Sequence, residues 1–266
     1  MSYGPRPWQQ TNWDWRAAGN FIFGGAGSGL LLATAFVLPL GPARSVALLL
    51  GCALVGLGLF SVWLEIGRPL RALHVFFNPW TSWMTREAFA GSVLLGSAAF
   101  AFFWPGIATE AALGASAAVY AWCQGRILTA SKGIPAWRAP EVVPLMLATA
   151  LAEGAGFALL FDPGSRVLTL FAIAVIMRAT AWSGYWAALE QPGSRAALQP
   201  ADKALIQIGT LAPLALLLAA FYIPAAAPLA GVAAIAAGWR FKYVLVTRAA
   251  FNQGFALPQL PVRGTR

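Results

Sequence analysis

The chain contains runs of about 20 apolar residues separated by short links rich in proline, glycine and charge. A helix rises about 1.5 Å per residue, so such a run matches a hydrocarbon core of about 30 Å. Of the 266 residues, 59% are hydrophobic and only 10% are charged, whereas a soluble domain carries about 25% charged residues. Strands of an outer-membrane barrel would alternate in polarity over about 10 residues, and these runs do not. The sequence therefore predicts an all-α membrane protein.

The apolar runs predict eight transmembrane helices in one bundle, which forms a single integral membrane domain over residues 1–266. Pro105-Gly106, Pro163-Gly164 and Pro192-Gly193 are typical of the breaks between runs, because proline disfavours continuous helix. The connection between spans 2 and 3 is the longest and is rich in Trp and Phe, which suit the headgroup layer. The predicted spans are residues 17–38, 45–66, 88–106, 108–129, 141–162, 166–188, 203–222 and 226–247.

The positions of Lys and Arg predict the orientation of the bundle. With eight spans, both termini share a side with the connections after spans 2, 4 and 6. Of the 18 Lys and Arg residues, only Arg44 and Arg166 fall on the opposite side and Arg178 falls within a span, while the others, Lys242 included, fall on the side of the termini. Positive residues are retained in the cytoplasm, so both termini are expected to be cytoplasmic. Because these residues lie in separate links, nucleic acid is not an expected partner.

Few side chains are available to hold a redox cofactor. His74 is the single histidine, which excludes a haem with two axial histidines. Cys52 and Cys123 lie alone in apolar runs and lack the grouped spacing of metal or iron–sulfur ligands. We therefore expect no metal, no haem and no iron–sulfur cluster in this chain. Electrons for any redox reaction must come from another protein.

Two ionisable side chains, Glu153 and Arg178, lie within predicted spans 5 and 6. A charge in hydrocarbon is costly and usually faces a partner or a wet cavity. We therefore expect Glu153 and Arg178 to form a buried pair. Such a pair is consistent either with a structural link between the spans or with a role in proton movement.

A second polar group lies where spans 2 and 3 meet the predicted cytoplasmic surface. Carboxylates and an imidazole at this depth can exchange protons with water while they contact a molecule dissolved in lipid. A quinone has these needs, since its carbonyls accept hydrogen bonds and its two-electron chemistry moves two protons. The alternative is an interfacial loop that binds lipid phosphates. The group comprises Glu65, Arg68, Arg71, His74, Arg86 and Glu87.

Spans 1 and 6 add candidates at a similar depth. Asn20 lies about one turn inside span 1 and precedes a run of small residues over positions 24–29. Small residues allow close approach of another helix, which is the commoner reason for them, or of a flat ring. Trp182 and Tyr185 on span 6, and Gln124 on span 4, reach the same level. Asn20, Trp182 and Tyr185 are therefore candidate quinone-binding residues.

The two motifs beside the connection between spans 2 and 3 resemble those of the DmsC and NrfD families. These families are the membrane anchors of dimethyl sulfoxide reductase-type and polysulfide reductase-type complexes. The glycine-rich start of span 1 resembles the NrfD side of the group. The motifs are Gly67-Arg68-Pro69 with Arg71 after it, and Ser82-Trp83 with Arg86-Glu87 after it.

The resemblance implies a function for the chain. It would exchange electrons between the quinone pool and a ferredoxin-like iron–sulfur subunit with [4Fe-4S] clusters. That subunit would serve a catalytic subunit with a molybdenum or tungsten bis-pterin (molybdopterin) cofactor. The expected location is the bacterial cytoplasmic (inner) membrane, with the catalytic partners on the cytoplasmic side.

Individual residues of this sequence match positions of the family pattern. Glu87 matches the acid after the Ser-Trp motif, and Arg68 and Arg71 match the basic pair after helix 2. Asn20 matches a polar position near the quinone in the polysulfide reductase type. Glu65 stands where the DmsC type usually has histidine, so Glu65 and His74 both remain candidates for the proton-handling group.

The Trp-rich start and the ending over residues 252–258 resemble the membrane subunit of phenylacetyl-CoA:acceptor oxidoreductases, whose CoA thioester substrate is cytoplasmic. Two other functions remain open on the sequence. One is a secondary transporter with Glu153 and Arg178 as its midplane site. The other is a purely structural membrane anchor.

Overall fold

The computed structural model describes residue 4, residues 7–65 and residues 69–254. Within these ranges the chain forms helices and a single isolated bridge between Gln9 and Phe251, with no strand. A 3₁₀ helix, Pro69–Phe77, connects α2 to α3, and a short helix, Pro135–Arg138, precedes α5. The prediction of an all-helical protein is confirmed. The long helices are α1 Trp15–Val37, α2 Pro42–Trp63, α3 Trp83–Phe103, α4 Ile107–Ala130, α5 Val142–Ala158, α6 Ser165–Ala188, α7 Pro192–Ala219 and α8 Ala226–Thr247.

Six of the described helices are long and apolar enough to cross a membrane, namely α1, α2, α3, α6, α7 and α8. The other two correspond to predicted spans 4 and 5. Helix α4 carries Glu110, Gln124 and Arg126 along its length. Helix α5 has 17 residues, which is about 25 Å of helix, and it packs against α1, α4, α6 and α8. Because α5 is surrounded by other helices, it presents little surface that would have to match lipid.

Local side chains explain where several helices begin. The Asp14 carboxylate accepts a hydrogen bond from the Arg16 N–H at 2.8 Å and caps α1. Ser82 caps α3 in the same manner. Helix α2 begins at Pro42, whose fixed φ suits a first helical position. The chain enters that helix through Gly41 at φ 155°, a conformation that residues with a side chain rarely adopt.

Helix α7 begins well before the predicted span over residues 203–222. Its first residue is Pro192, and the Gln191 side chain caps it by accepting a hydrogen bond from the Ser194 N–H. The sequence interpretation treated Pro192 as a break, but proline at the first helical position starts a helix. Most of the predicted connection between spans 6 and 7 is therefore helical, and Pro200 is accommodated inside it.

Two of the long helices contain a π-helical segment. One is Asn20–Gly24 in α1 and the other is Gln207–Leu211 in α7. A π segment disturbs the regular backbone hydrogen bonds and occurs often at functional sites. In both segments a backbone carbonyl accepts a side-chain hydrogen bond, Asn20 O from Gln124 and Gly209 O from Arg178. Gly209 has no helical donor, because Pro213 stands four residues later.

Glycines bring the central helices into backbone contact. A Cβ at Gly29 of α1 would overlap the Ala150 carbonyl of α5, and a Cβ at Gly154 of α5 would overlap the backbone of Gly29. Gly27 and Gly58 make a similar contact between α1 and α2. The run of small residues in α1 therefore serves helix packing, the commoner of its two interpretations.

The segments before α1 and after α8 lie side by side. The Gln10 N–H donates to the Ala250 carbonyl at 2.9 Å, and the Asn252 N–H donates to the Trp8 carbonyl at 3.0 Å. We call this end of the bundle the terminal end.

Candidate functional site

A cavity of about 340 Å³ lies between α2, the 3₁₀ helix and the start of α3, and it is partly open at the surface of the bundle. Its walls are mainly apolar, and they include Leu59, Trp63, Phe76 and Met84. The Phe76 ring packs edge-on against Phe89 at 5.2 Å, which ties the 3₁₀ helix to α3. Glu87 is the one ionisable side chain among the described lining residues.

Neutral amides hold the Glu87 carboxylate in place. Glu87 lies about one turn into α3 and is 4% exposed. Its Oε1 accepts hydrogen bonds from Asn20 Nδ2 at 2.9 Å and from Gln124 Nε2 at 3.2 Å. A buried carboxyl with these partners is fixed in position without a permanent counter-charge. It can therefore exist with or without its proton.

The backbone of α1 is shaped to admit these partners. Gln124 Nε2 also donates to the Asn20 carbonyl at 2.9 Å, which the π segment frees. A Cβ at Gly24 would lie 2.5 Å from Gln124 Nε2 and 2.7 Å from the Tyr120 hydroxyl, so only glycine leaves room for both. Tyr120 is fully buried, and its hydroxyl lies beside the Glu87 carboxyl and the Gln124 amide.

The structure places the predicted acid Glu65 away from the cavity. Glu65 follows α2 and is half-buried near the Asp14–Arg16 ion pair. Burial raises the pKa of the Glu65 carboxyl above its ordinary value, and the negative charge of Asp14 adds to this while Arg16 opposes it. The Arg16 guanidinium holds the pKa of Asp14 below its ordinary value. Glu65 is thus part of the polar surface where α1 begins.

The predicted basic residues that the structure describes do not line the cavity. Arg86 donates to the Pro79 and Trp80 carbonyls at 2.9 and 2.7 Å and lies over the Trp83 ring, so it fixes the connection into α3. Arg71 is exposed. Arg68 lies outside the described residues. His74 is exposed and packs its ring against Phe77, also outside the lining of the cavity.

Trp182 and Tyr185 belong to another part of the bundle. The Trp182 Nε1–H donates to Asp202 at 2.7 Å, and the Tyr185 hydroxyl donates to the Ala136 carbonyl at 2.9 Å. Both rings are buried in an apolar cluster with Trp137 and Phe241. They fill this core and do not reach Glu87.

The expected ion pair between Glu153 and Arg178 needs correction. Glu153 pairs with Lys242 of α8, whose Nζ lies 2.6 Å from Oε2, and both side chains are 0% exposed. Arg178 instead donates to the carbonyls of Ala234 and Gly209, the first at 2.8 Å. The Gly209 carbonyl is free to accept because Pro213, four residues later in α7, has no N–H to donate to it, whereas Ala234 lies on the facing helix α8. The midplane site assumed for a transporter is therefore built differently from the sequence expectation.

Sequence reasoning missed Tyr120 and Lys242. Tyr120 lies four residues before Gln124 on α4, a spacing that places both on one face of a helix. Lys242 lies near the end of α8 and was counted among the surface charges, but its long side chain points back into the bundle. The available signal was Glu153 itself, because an acid within an apolar span requires a cationic or hydrogen-bonding partner.

A comparison with protein-family models and with curated proteins finds no match to the chain.

Proposed function

We propose that the chain is the quinone-reactive membrane anchor subunit of a multi-subunit molybdenum or tungsten iron–sulfur oxidoreductase. The observation that carries this proposal is Glu87, a buried carboxyl held by neutral donors at the wall of an apolar cavity. The resemblance of the motifs around Glu87 to the DmsC and NrfD families supports the same function.

The size and lining of the cavity suit the head of a quinone. Ligand pockets commonly measure about 300 to 1,000 Å³ and combine apolar walls with a few placed polar groups. This cavity has about 340 Å³, aromatic walls at Trp63 and Phe76, and the single acid Glu87. Its partial opening at the surface of the bundle would let an isoprenoid tail remain in the lipid.

Glu87 would handle one of the two protons that accompany each two-electron reaction. As a carboxylate it would take a proton from a quinol hydroxyl, and as an acid it would give one to a quinone oxygen. Asn20 and Gln124 keep the carboxyl in place in both states, because amide N–H groups can donate to either form.

The electrons would pass to or from a ferredoxin-like subunit with [4Fe-4S] clusters, which in turn serves a molybdopterin subunit. We place both partners on the terminal end, where most Lys and Arg residues are found, and this end in the cytoplasm of a bacterium. In this arrangement α4 and α5 complete a set of eight spans. A phenylacetyl-CoA-type thioester is the proposed substrate of the complex.

The proposal is tested by binding of a short-tailed quinone to the full chain in lipid nanodiscs, followed through quenching of tryptophan fluorescence. For the reduced ligand, a quinol, Glu87→Gln should weaken binding about 10- to 100-fold, since the carboxylate accepts from a quinol hydroxyl and a hydrogen bond to a charged group is worth about 1.5–3 kcal/mol. Ala88→Trp, which fills the cavity, should abolish it.

Three variants serve as matched controls. Ile173→Trp adds the same ring on an exposed position of α6, and Glu65→Gln and His74→Gln remove the predicted groups that do not line the cavity. All three should bind as the unmodified chain does. Equal binding by Ala88→Trp and Ile173→Trp would contradict the proposal and leave a purely structural anchor as the remaining function.

A further inference from the structure

A second, smaller cavity of about 180 Å³ lies between α6 and α7, beside the π segment of α7. Arg178 of α6 lines this cavity, although its side chain is only 1% exposed. Apart from the hydroxyls of Ser183 and Thr210 and the Trp182 ring, the other described lining residues are aliphatic. The cavity is therefore a mainly apolar space with a buried guanidinium in its wall.

The Arg178 guanidinium keeps one N–H available for a ligand. Its two Nη groups donate to the carbonyls of Ala234 and Gly209, whereas Nε has no hydrogen-bond partner among the described residues. Buried polar groups are nearly always satisfied, by protein atoms or by another molecule. The other polar groups of the lining already donate within the protein, Trp182 to Asp202, Ser183 to the Thr180 carbonyl and Thr210 to the Leu205 carbonyl. The cavity therefore offers its donor to a ligand that carries an acceptor.

The charges buried in the middle of the bundle favour an anionic acceptor. Arg178 and Lys242 carry two positive charges and Glu153 carries one negative charge, and each side chain is at most 1% exposed. The charge of Glu153 acts on Arg178, but this acid is already hydrogen-bonded to Lys242 at 2.6 Å. A cation without a counter-charge is costly within hydrocarbon. A negative group beside Arg178 Nε would balance the three charges.

The position of the cavity indicates that its ligand comes from the lipid. Arg178 is ten residues before the end of α6 at Ala188, which is about 15 Å along the helix. Ser183 and Ile206 are exposed at the edge of the cavity, and Met177 nearby on α6 is 48% exposed. At this depth in a hydrocarbon core of about 30 Å, such a surface faces acyl chains. A ligand with an apolar body reaches it more readily than a dissolved ion.

The volume of the cavity limits the polar part of the ligand. Ligand pockets commonly measure about 300 to 1,000 Å³, so a cavity of about 180 Å³ holds only the head of a larger molecule. A carboxylate is small and planar, and it accepts charge-assisted hydrogen bonds from arginine. The phosphate of a phospholipid stays in the headgroup layer, outside the hydrocarbon core. A single-chain carboxylic acid meets these requirements together.

We propose that the cavity between α6 and α7 binds the carboxylate of a fatty acid. Arg178 Nε donates to the carboxylate, and the acyl chain lies along the outer faces of α6 and α7. The site shares none of its described lining residues with the cavity at Glu87. Because Arg178 also holds the Gly209 carbonyl of α7, a bound fatty acid would stabilise the contact between α6 and α7 at the π segment.

Palmitate labelled with ¹³C at its carboxyl carbon tests the site by NMR on the full chain in lipid nanodiscs. We expect a bound carboxyl resonance that is distinct from that of palmitate in the bilayer. Arg178→Met should weaken binding about 10- to 100-fold, the usual loss for a hydrogen bond to a charged group. Because Arg178→Met also removes donors to two carbonyls, its helix content is compared with that of the unmodified chain by circular dichroism.

A second variant blocks the cavity and leaves Arg178 in place. Ser183→Trp puts a large ring at the exposed edge of the cavity and should abolish the bound resonance. Thr180→Trp is the matched control, since it adds the same ring at an exposed position of α6 outside the lining. It should bind palmitate as the unmodified chain does. Equal binding by the Ser183→Trp and Thr180→Trp chains would overturn the site.

Competition identifies the chemistry of the ligand. Unlabelled palmitate should displace the label, whereas hexadecanol, acetate and phosphatidylglycerol should not. Displacement by hexadecanol would show that the acyl chain drives binding without Arg178, and displacement by acetate or phosphatidylglycerol would show a site for dissolved anions or for phospholipid. Each of these three results would overturn the proposal. Glu87→Gln should leave palmitate binding unchanged, so failure of the fatty-acid site is distinguishable from failure of the quinone site.

Discussion

Glu87 and Glu153 are both carboxylates inside the bundle, but their surroundings differ in kind. Glu87 accepts hydrogen bonds from the neutral amides of Asn20 and Gln124, whereas Glu153 lies against the Lys242 ammonium. Neutral donors position an acid without requiring it to carry a charge. An ammonium in an apolar core favours a charged partner, because separating the two leaves an ion without solvent. The first arrangement suits a group that exchanges protons with a ligand, and the second suits a group that holds charge in the interior.

The packing around Glu87 is also more open than the packing around Glu153. Glu87 lies beside a cavity that is partly open at the surface of the bundle. Glu153 lies between α5 and α8 in a region where backbones touch, with Gly156, one turn after Glu153 on α5, against Gly231 of α8. A ligand can therefore reach the neighbourhood of Glu87, while Glu153 is enclosed by packed helices.

Removal of the Lys242 ammonium should have the largest effect on stability. Lys242→Met leaves the buried Glu153 carboxylate without its hydrogen-bonded ammonium, and breaking a buried pair in this way costs about 3–5 kcal/mol. Glu87→Gln leaves no uncompensated charge and should cost far less. The free energy of unfolding, measured in mixed micelles with increasing denaturing detergent, compares the two.

The double variant Lys242→Met, Glu153→Met isolates the cause. If the loss comes from the unpaired acid, an apolar side chain at both positions should recover most of it. Equal losses of stability for the Lys242→Met and Glu87→Gln chains would show that Glu153 depends on a counter-charge no more than Glu87 does.

Gly29→Ala should have the next largest effect and should act on both regions at once. Its Cβ would meet the Ala150 carbonyl, and α1 and α5 would have to separate. Overpacking of this kind costs about 1–3 kcal/mol. Because α1 carries Asn20 and α5 carries Glu153, the shift should lower quinone binding as well as the free energy of unfolding.

Gly56→Ala is the matched control, since no atom lies within 4 Å of its Cβ position. It should be neutral or slightly stabilising, because alanine favours the helix. A Gly29→Ala chain that behaves like Gly56→Ala would show that the close contact between α1 and α5 does not set the geometry of the two regions.

Much of the fold was accessible from the sequence because lipid imposes a simple pattern. Apolar runs and their breaks predict the positions of the helices, and six described helices meet the requirements for crossing a membrane. The start of α7 was misplaced because Pro192 can equally end one helix or begin another. Helix α5 is short because its neighbours, and not lipid, surround it.

The candidate site was accessible only in part. Asn20 and Glu87 are singled out by polarity within apolar runs, and the structure brings them together at 2.9 Å. The same criterion selected Tyr185, but its hydroxyl donates to the Ala136 carbonyl in another part of the bundle. Partner choice was not predicted, although the sequence holds one signal: Pro213 lies four residues after Gly209 and has no N–H, so the Gly209 carbonyl is left to accept from Arg178. Without that carbonyl, Glu153 is the natural partner of Arg178.

Glu65 provides the reference for both buried acids, and its substitution should have the smallest effect. Burial and the neighbouring Asp14 raise the pKa of the Glu65 carboxyl. A raised folded-state pKa means that ionisation of Glu65 costs stability. The cost is absent below the unfolded-state pKa, where both states are protonated, and fully present above the folded-state pKa.

Glu65→Gln should therefore raise the free energy of unfolding at neutral pH and not at acidic pH. Because the side chain is half-buried, solvent screening limits the gain to less than about 1 kcal/mol. A larger gain, or one that persists in acid, would show that Glu65 is enclosed like Glu153, and the contrast between the rim and the interior of the bundle would then fail.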